Sequence, residues 1–217
     1  MKLRVLGISG SPVKGGNLET FLNYMLETAS KKGLHTEAIH LSQKKIHSCQ
    51  HCNFCIANQT ADKYCSIDDD AQEIFDKIIA SDIIVLASPV YFMRSSSIMA
   101  SFIDRLRAFL FGNVIRKKLK NKIGVSAAVS WMRNAGLETT HLSHICTFLS
   151  MGMIPAAVHT GISPLGASAV SSPNGSGEFD ENIRLGVLND EHGLGSASIL
   201  MSRAIELAEM VKKGTGS

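Results

Sequence analysis
The sequence predicts an α/β protein built on a doubly wound, five-stranded parallel sheet with helices on both faces. Three observations predict it. Short apolar runs alternate with helical stretches along the 217 residues, as in repeated βα units. Residues 83–87 read Ile-Ile-Val-Leu-Ala with no polar break, as strands buried on both sides do. The polar, glycine-bearing loops fall at the ends of such runs, where doubly wound sheets bind ligands. Right-handed crossovers leave this arrangement as the simplest topology.

Each element has its own signal. Residues 3–8 form the first strand, stopped by Ser9-Gly10-Ser11-Pro12. A helix runs from Asn17 to about residue 32, with Leu18, Phe21, Leu22, Met25 and Leu26 at helical spacing. Asn17 is its expected N-cap and Gly33 its stop. Residues 36–41 are the second strand, and a cysteine-rich insertion follows over about 44–67. Asp68-Asp69-Asp70 open the next helix, where acidic groups suit the positive end of the dipole. Ile74, Ile78 and Ile79 mark its apolar side. Residues 83–87 are the third strand, ended by Ser88-Pro89, and 96–111 the helix after it. Residues 123–129 are the fourth strand. Residues 137–151 are a helix with Leu142, Ile145, Cys146 and Leu149 on one face, which makes Cys146 a buried core thiol. Residues 154–158 are the fifth strand, and the last helix runs over 196–211. Residues 161–182, rich in Gly, Ser and Pro, form the one long irregular segment; such loops are lids, contacts or linkers. The whole, 1–217, reads as a single domain.

Composition narrows the function. A hydrophobic content of 45% supports a sizeable core, and a net charge of +3 carries no nucleic-acid or membrane signal. No apolar stretch approaches the roughly 20 residues of a membrane span. Met1-Lys2-Leu3-Arg4-Val5 lacks a signal-peptide layout. A cytoplasmic, reducing setting is expected, and disulfides are the less expected use of the cysteines. The basic run over 116–122 reads as a solvated helix end, or as a patch for docking an acidic electron carrier. With no Gly-x-Ser-x-Gly elbow, serine hydrolase chemistry is not expected.

The first loop suits a phosphate. Ser9, Ser11, Lys14, Gly15, Gly16, Asn17 and Leu18 join the first strand to the first helix. Amide groups at a helix N-terminus favour an anion, and glycines let the backbone come close. The loop has neither G-x-x-x-x-G-K-[ST] nor G-x-G-x-x-G, which disfavours a nucleoside triphosphate or a dinucleotide there. An ordinary βα turn is the plain alternative.

Four of the five cysteines fall in one stretch, Cys49-x2-Cys52-x2-Cys55-x9-Cys65. Three thiolates at such intervals can wrap one face of a cubane, and a fourth can close it. Zinc held by four thiolates is a rival, although zinc loops more often pair two C-x-x-C units across a longer gap. Free or redox-active thiols are the third reading.

On these residues the chain resembles the flavodoxin-like NAD(P)H-dependent FMN reductases, and in particular the iron–sulfur flavoproteins. The motifs are Gly7-Ile8-Ser9-Gly10-Ser11-Pro12, the cysteine loop, Ser88-Pro89-Val90-Tyr91-Phe92, and Arg133-Asn134-Ala135-Gly136-Leu137-Glu138-Thr139-Thr140. The resemblance covers most of the chain from residue 6 to about 158. The resemblance implies FMN with its phosphate in the first loop. It implies that Pro89, Val90, Tyr91 and Phe92, with Ser130, Trp131, Arg133, Asn134, Gly136 and Glu138, line the isoalloxazine ring. It implies a 4Fe–4S cluster on the cysteines, although the family's last interval is shorter. Where the family has a glycine pair before the arginine, this chain has Ser130-Trp131-Met132.

The expected function is electron transfer between a reduced donor, NAD(P)H or a ferredoxin-like carrier, and a small-molecule acceptor. Flavin handles one- and two-electron steps and a cluster one, which is the reason to pair them. No side chain is expected to act as a general acid or base. A homodimer or homotetramer is expected from the resemblance, with no nucleic-acid or membrane partner. The alternatives are a cluster-free NAD(P)H-dependent FMN or quinone reductase, and a non-enzymatic zinc-stabilised binding module.

Overall fold
A computed structural model describes residues 2–159 and 164–214. Strand β1 (Arg4–Ser9) lies between β2 (His35–His40) and β3 (Ile83–Tyr91), parallel to both. Beyond β3 come β5 (Ile123–Ser130) and β6 (Ile154–Pro155), giving the order β2-β1-β3-β5-β6. In strand rank this is the 2-1-3-4-5 order of doubly wound flavodoxin-like sheets.

Two short strands bring the described sheet to seven rather than five. Strand β4 (Arg94–Ser95) returns antiparallel on the end of β3. Strand β7 (Ala167–Val170) runs parallel to β5. The expected fifth strand over 154–158 is therefore two pieces on one edge. Ile154 and Pro155 pair with Ile123 and Gly124, and residues 167–170 pair with 127–130 further along. The Ile154 and Ala156 amides donate to the Lys122 and Gly124 carbonyls at 2.9 and 2.8 Å, so Pro155 between them sits where this ladder needs no N–H. The segment expected to be irregular thus holds a strand and a short 3-10 turn (Pro173–Gly175). Its residues 161–163 lie outside the described residues.

The helices divide between two faces. Helix α1 (Asn17–Lys31) and helix α7 (Glu191–Gly214) cover one side, burying Phe21, Leu22, Met25, Leu200 and Met201 against Val5, Val85 and Val125. Helix α3 (Ala71–Ala80) and helices α4 (Ser97–Arg105) and α5 (Arg107–Phe111) cover the other, on Leu6, Ile8, Ile84 and Leu86. The single helix expected over 96–111 is thus broken at Leu106. Alternate residues of β1 and β3 enter opposite cores, as a strand buried on both sides requires. No described helix is long and apolar enough to cross a membrane.

Helix α6 (Leu137–Ser150) reverses the expected orientation. Leu142, Cys146 and Leu149 are exposed, while Thr140, His141, His144 and Phe148 are buried. The cause lies in β5 beneath it. Phe148 packs where a Cβ on Gly124 would come within 2.5 Å of its ring. The next residue on that face, Ser126, places its Oγ 2.7 Å from His141 Nδ1 and 2.8 Å from His144 Nδ1. His144 Nε2 meets Ser95 Oγ at 3.1 Å, and His141 Nε2 meets Ser168 Oγ at 2.8 Å. Ser126 has one hydroxyl hydrogen, so one ring donates to it and the other accepts. Burial holds His141 down to about 4 and His144 down to about 3, so both rings are neutral at pH 7.

Candidate functional site
The first loop is organised by its own side chains. Ser9 is fully buried, and its Oγ accepts the Ser11 amide at 3.2 Å. It shapes the loop and does not reach the cavity wall. Ser11 Oγ accepts the Val13 amide at 3.1 Å. Gly10 donates to the Ala87 carbonyl at 2.8 Å and accepts from Ser96 Oγ at 2.7 Å. A Cβ at Gly10 would lie 2.6 Å from Met99 Cβ, so this close approach needs glycine. Gly15, at φ +62°, donates to the Glu19 carboxylate at 2.7 Å. Buried Glu19 also meets His40 Nδ1 at 2.8 Å.

Helix α1 starts at N-cap Gly16 with no side-chain cap. Asn17, the expected cap, instead accepts the Val187 amide at 3.0 Å. The helix N-terminus is therefore left open toward a cavity of about 390 Å³, a size usual for small-molecule sites. Ser11, Lys14, Gly15, Gly16, Asn17 and Leu18 line one end. Pro89, Val90, Tyr91, Ser130 and Trp131 line the other. Val13, Val129, Ser171, Arg184 and Leu185 complete the wall. Sequence reasoning did not find Ser171, Arg184 and Leu185, because they return to the site from the far edge of the sheet and carry no local motif.

The second loop is a tight hairpin between β3 and β4. Phe92 and Met93 occupy its tip at φ +47° and +63°. Two consecutive left-handed residues are the signature of a type I′ turn. It is costly for bulky side chains, and such strain gathers at functional sites. Helix α6 holds the turn in place. Thr139 Oγ1 donates to the Met93 carbonyl, and Gly136, at φ +100°, lies where a Cβ would be 2.4 Å from Met93 Cα. Phe92 is 98% exposed at the tip and does not line the cavity.

The third loop follows β5. Ser130 Oγ donates to the Met132 carbonyl at 2.5 Å, and Ser172 Oγ donates to the Trp131 carbonyl at 2.5 Å. Trp131 stacks on Phe179 with centroids 6.3 Å apart. Arg133 turns away from the cavity and donates to the Asn174 carbonyl at 3.1 Å. Arg133, Asn134 and Glu138 line a neighbouring hollow with His141 and His192.

Four of the cysteines come together away from this cavity. Cys49, Cys52, Cys55 and Cys65 line one narrow cavity of about 20 Å³, together with Arg105 and Arg107. His51 and Asn53, both at positive φ, bend the loop around it. Cys55 rides on helix α2 (Phe54–Ala57) and is buried, whereas Cys52 is exposed. Among the described residues, no three His, Cys, Asp or Glu side chains are grouped to hold a single ion. The Ser66 hydroxyl, 3.0 Å away, and the Phe54 backbone hold the Cys52 thiol below its ordinary range.

Asp69 and Arg105 anchor this loop. Arg105 makes a forked pair with Asp69 at 2.7 and 3.1 Å and donates to the His47 carbonyl at 2.7 Å. Their side chains are 0% and 1% exposed. Burial pushes the Asp69 carboxyl up, but Arg105 and the His47 and Ala71 amides more than offset it. The acidic run thus splits its tasks: Asp70, at the N-cap position of α3, accepts the Lys45 amide at 2.6 Å, while Asp69 holds the arginine and accepts the Ala71 amide at 3.1 Å.

Sheet order, open first helix and flanking loops define a flavodoxin-like α/β protein. The chain belongs to the NADPH-dependent FMN reductase family, whose sequence pattern matches residues 3–163, and it is an oxidoreductase of that family. It is 32% identical over 211 residues to an iron–sulfur flavoprotein of Methanocaldococcus jannaschii, covering 97% of this chain and 100% of that one. It is 30% identical over 216 residues to an iron–sulfur flavoprotein of Archaeoglobus fulgidus, covering 97% and 98%. Among solved structures it is similar to RosB bound to 8-demethyl-8-formylriboflavin-5′-phosphate, with a TM-score of 0.75 at 16% identity, covering 97% of this chain and 81% of that one. It is also similar to an NAD(P)H:quinone oxidoreductase of Methanothermobacter marburgensis, with a TM-score of 0.63 at 15% identity, covering 95% and 98%.

Proposed function
We propose that this chain is a cytoplasmic electron-transfer flavoprotein that binds FMN in the larger cavity and a 4Fe–4S cluster on Cys49, Cys52, Cys55 and Cys65. The observation that carries the cluster reading is the gathering of all four thiols around one cavity whose two arginines each leave a buried Nε without a hydrogen-bond partner among the described residues. A ring of thiols around a space suits a multi-atom sulfide group better than one zinc ion, whose four ligands meet at a point. The cavity is narrow, so loading the group requires the thiols to spread. The names of the relatives support the same reading.

The larger cavity fits FMN by its donors. The uncapped start of α1, with Lys14 beside it, is suited to a terminal phosphate. The ring end is apolar and aromatic, with Pro89, Val90, Tyr91 and Trp131. Held there, FMN would supply one- and two-electron chemistry between a reduced donor, NAD(P)H or a ferredoxin-like carrier, and a small-molecule acceptor, and a cluster on the four cysteines would supply one-electron chemistry. Ser9 and Glu19 hold the loop that receives the phosphate, and Thr139 holds the hairpin beside the ring. Arg133, Asn134 and Glu138 border the neighbouring hollow, where a donor or acceptor would approach. A homodimer or homotetramer would cover the exposed Leu142, Cys146 and Leu149.

The test is iron, sulfide and flavin content of protein isolated without oxygen, with its visible spectrum. Flavin bands without iron would leave a cluster-free NAD(P)H-dependent FMN or quinone reductase. The exposed Cys52, its thiol held below the ordinary range, favours that second reading, because such a thiol ionises more readily and can react on its own.

A further inference from the structure
Arg105 is almost wholly buried, and among the described residues its one carboxylate partner is Asp69. Arg107 is half-buried and makes no ion pair among the described residues. Its Nη2 donates to Asn53 Oδ1 at 2.6 Å, and its guanidinium lies 4.9 Å from the Phe111 ring centroid. Two cations thus stand beside one cavity against a single neutralising carboxylate. Burying guanidinium groups is unfavourable unless charge and hydrogen bonds compensate. Among the described residues neither Nε has a hydrogen-bond partner, although each is buried. Both arginines line the cysteine cavity, Arg105 interacting with Cys65 and Arg107 with Cys52. The missing partner is therefore anionic, accepts hydrogen bonds and lies on the sulfur side.

We propose that Arg105 and Arg107 set the reduction potential of the cluster site, compensating the charge of its four thiolates and donating their Nε–H groups to its sulfur atoms. The inference rests on the reading that the cysteine cavity holds a cluster. Net charge and hydrogen bonds to sulfur are the terms by which a protein tunes such a group. One-electron reduction adds one negative charge and neither makes nor breaks a bond. Two adjacent guanidinium groups stabilise that added charge, so they raise the potential.

The experiment is a dithionite titration of anaerobically prepared protein, with the cluster followed by EPR and the flavin by absorbance. Arg107→Gln removes one charge from a half-buried position outside the Asp69 pair. Arg105→Lys keeps the charge Asp69 needs but loses the Nε donor. Both variants are expected to retain wild-type iron content. At a fixed solution potential their reduced-to-oxidised cluster ratio should fall at least tenfold, about 59 mV for one electron. The flavin midpoint should stay where it is. Arg107→Gln decides: retained iron with an unmoved cluster midpoint overturns the proposal, and so does loss of iron, which would make the residue structural. Iron-free wild-type protein would overturn the cluster reading itself. An iron-bearing wild type with an indifferent Arg107→Gln overturns only the role of the arginines.

Discussion
Acidification from pH 7 to pH 5 should weaken the fold through His141 and His144. Both rings sit under helix α6 on Ser126, held down to about 4 and about 3 by burial. In the unfolded chain each returns to about 6.5. The unfolded state then binds protons that the native state refuses, so stability rises with pH across this window and is lost as pH falls. The loss starts near pH 6.5 and levels off below about 4 for His141 and about 3 for His144. Each refused proton costs about 1.4 kcal/mol per pH unit below 6.5. At pH 5 that is about 2 kcal/mol per histidine and about 4 kcal/mol for the pair. The assay is urea unfolding followed by circular dichroism at pH 7, 6 and 5, on the wild type and on His141→Gln/His144→Gln. The other titrating groups are common to both proteins. The double variant starts less stable at pH 7, because it disturbs a four-bond network, but should lose about 4 kcal/mol less on acidification. Equal pH slopes in the two proteins would refute the claim that these rings are buried and neutral.

Other consequences follow from the loops. Gly136→Ala forces a Cβ against Met93 and a side chain into φ +100°, and should destabilise the fold by about 2 kcal/mol or more and weaken FMN binding, read by thermal unfolding and flavin fluorescence titration. Gly10→Ala overpacks the loop against Met99 and should cost about 1–3 kcal/mol, with a matching loss of FMN affinity. Asn17→Ala leaves the Val187 amide without its acceptor and should cost about 1–3 kcal/mol in urea unfolding. Cys49→Ser should remove iron without removing flavin, which paired metal and flavin assays will show.

Much of the fold was legible because the apolar runs are long and periodic. Residues 83–87 could only be a doubly buried strand, and the spacing from Leu18 to Leu26 could only bury one face of a helix. Helix α6 misled for a physical reason. Its apolar stripe faces outward, because the strand beneath it offers Ser126 and Gly124 rather than aliphatic surface. Periodicity cannot reveal that two histidines will be buried when their partners lie on β4, β5 and β7. The edge strand 167–170 was hidden for a similar reason: it is four residues among Gly, Ser and Pro, and its identity comes from pairing with β5. At the site, the local loops announced themselves through glycine, proline and cysteine spacing. Arg184 and Arg105 did not, since an arginine's surroundings are set by elements distant in the chain.

The most direct measurement is the metal and flavin content of protein purified and reconstituted under strict anaerobiosis. The account predicts about four iron atoms with matching sulfide and about one FMN per chain. Protein that takes up FMN but no iron, or iron but no FMN, would contradict it.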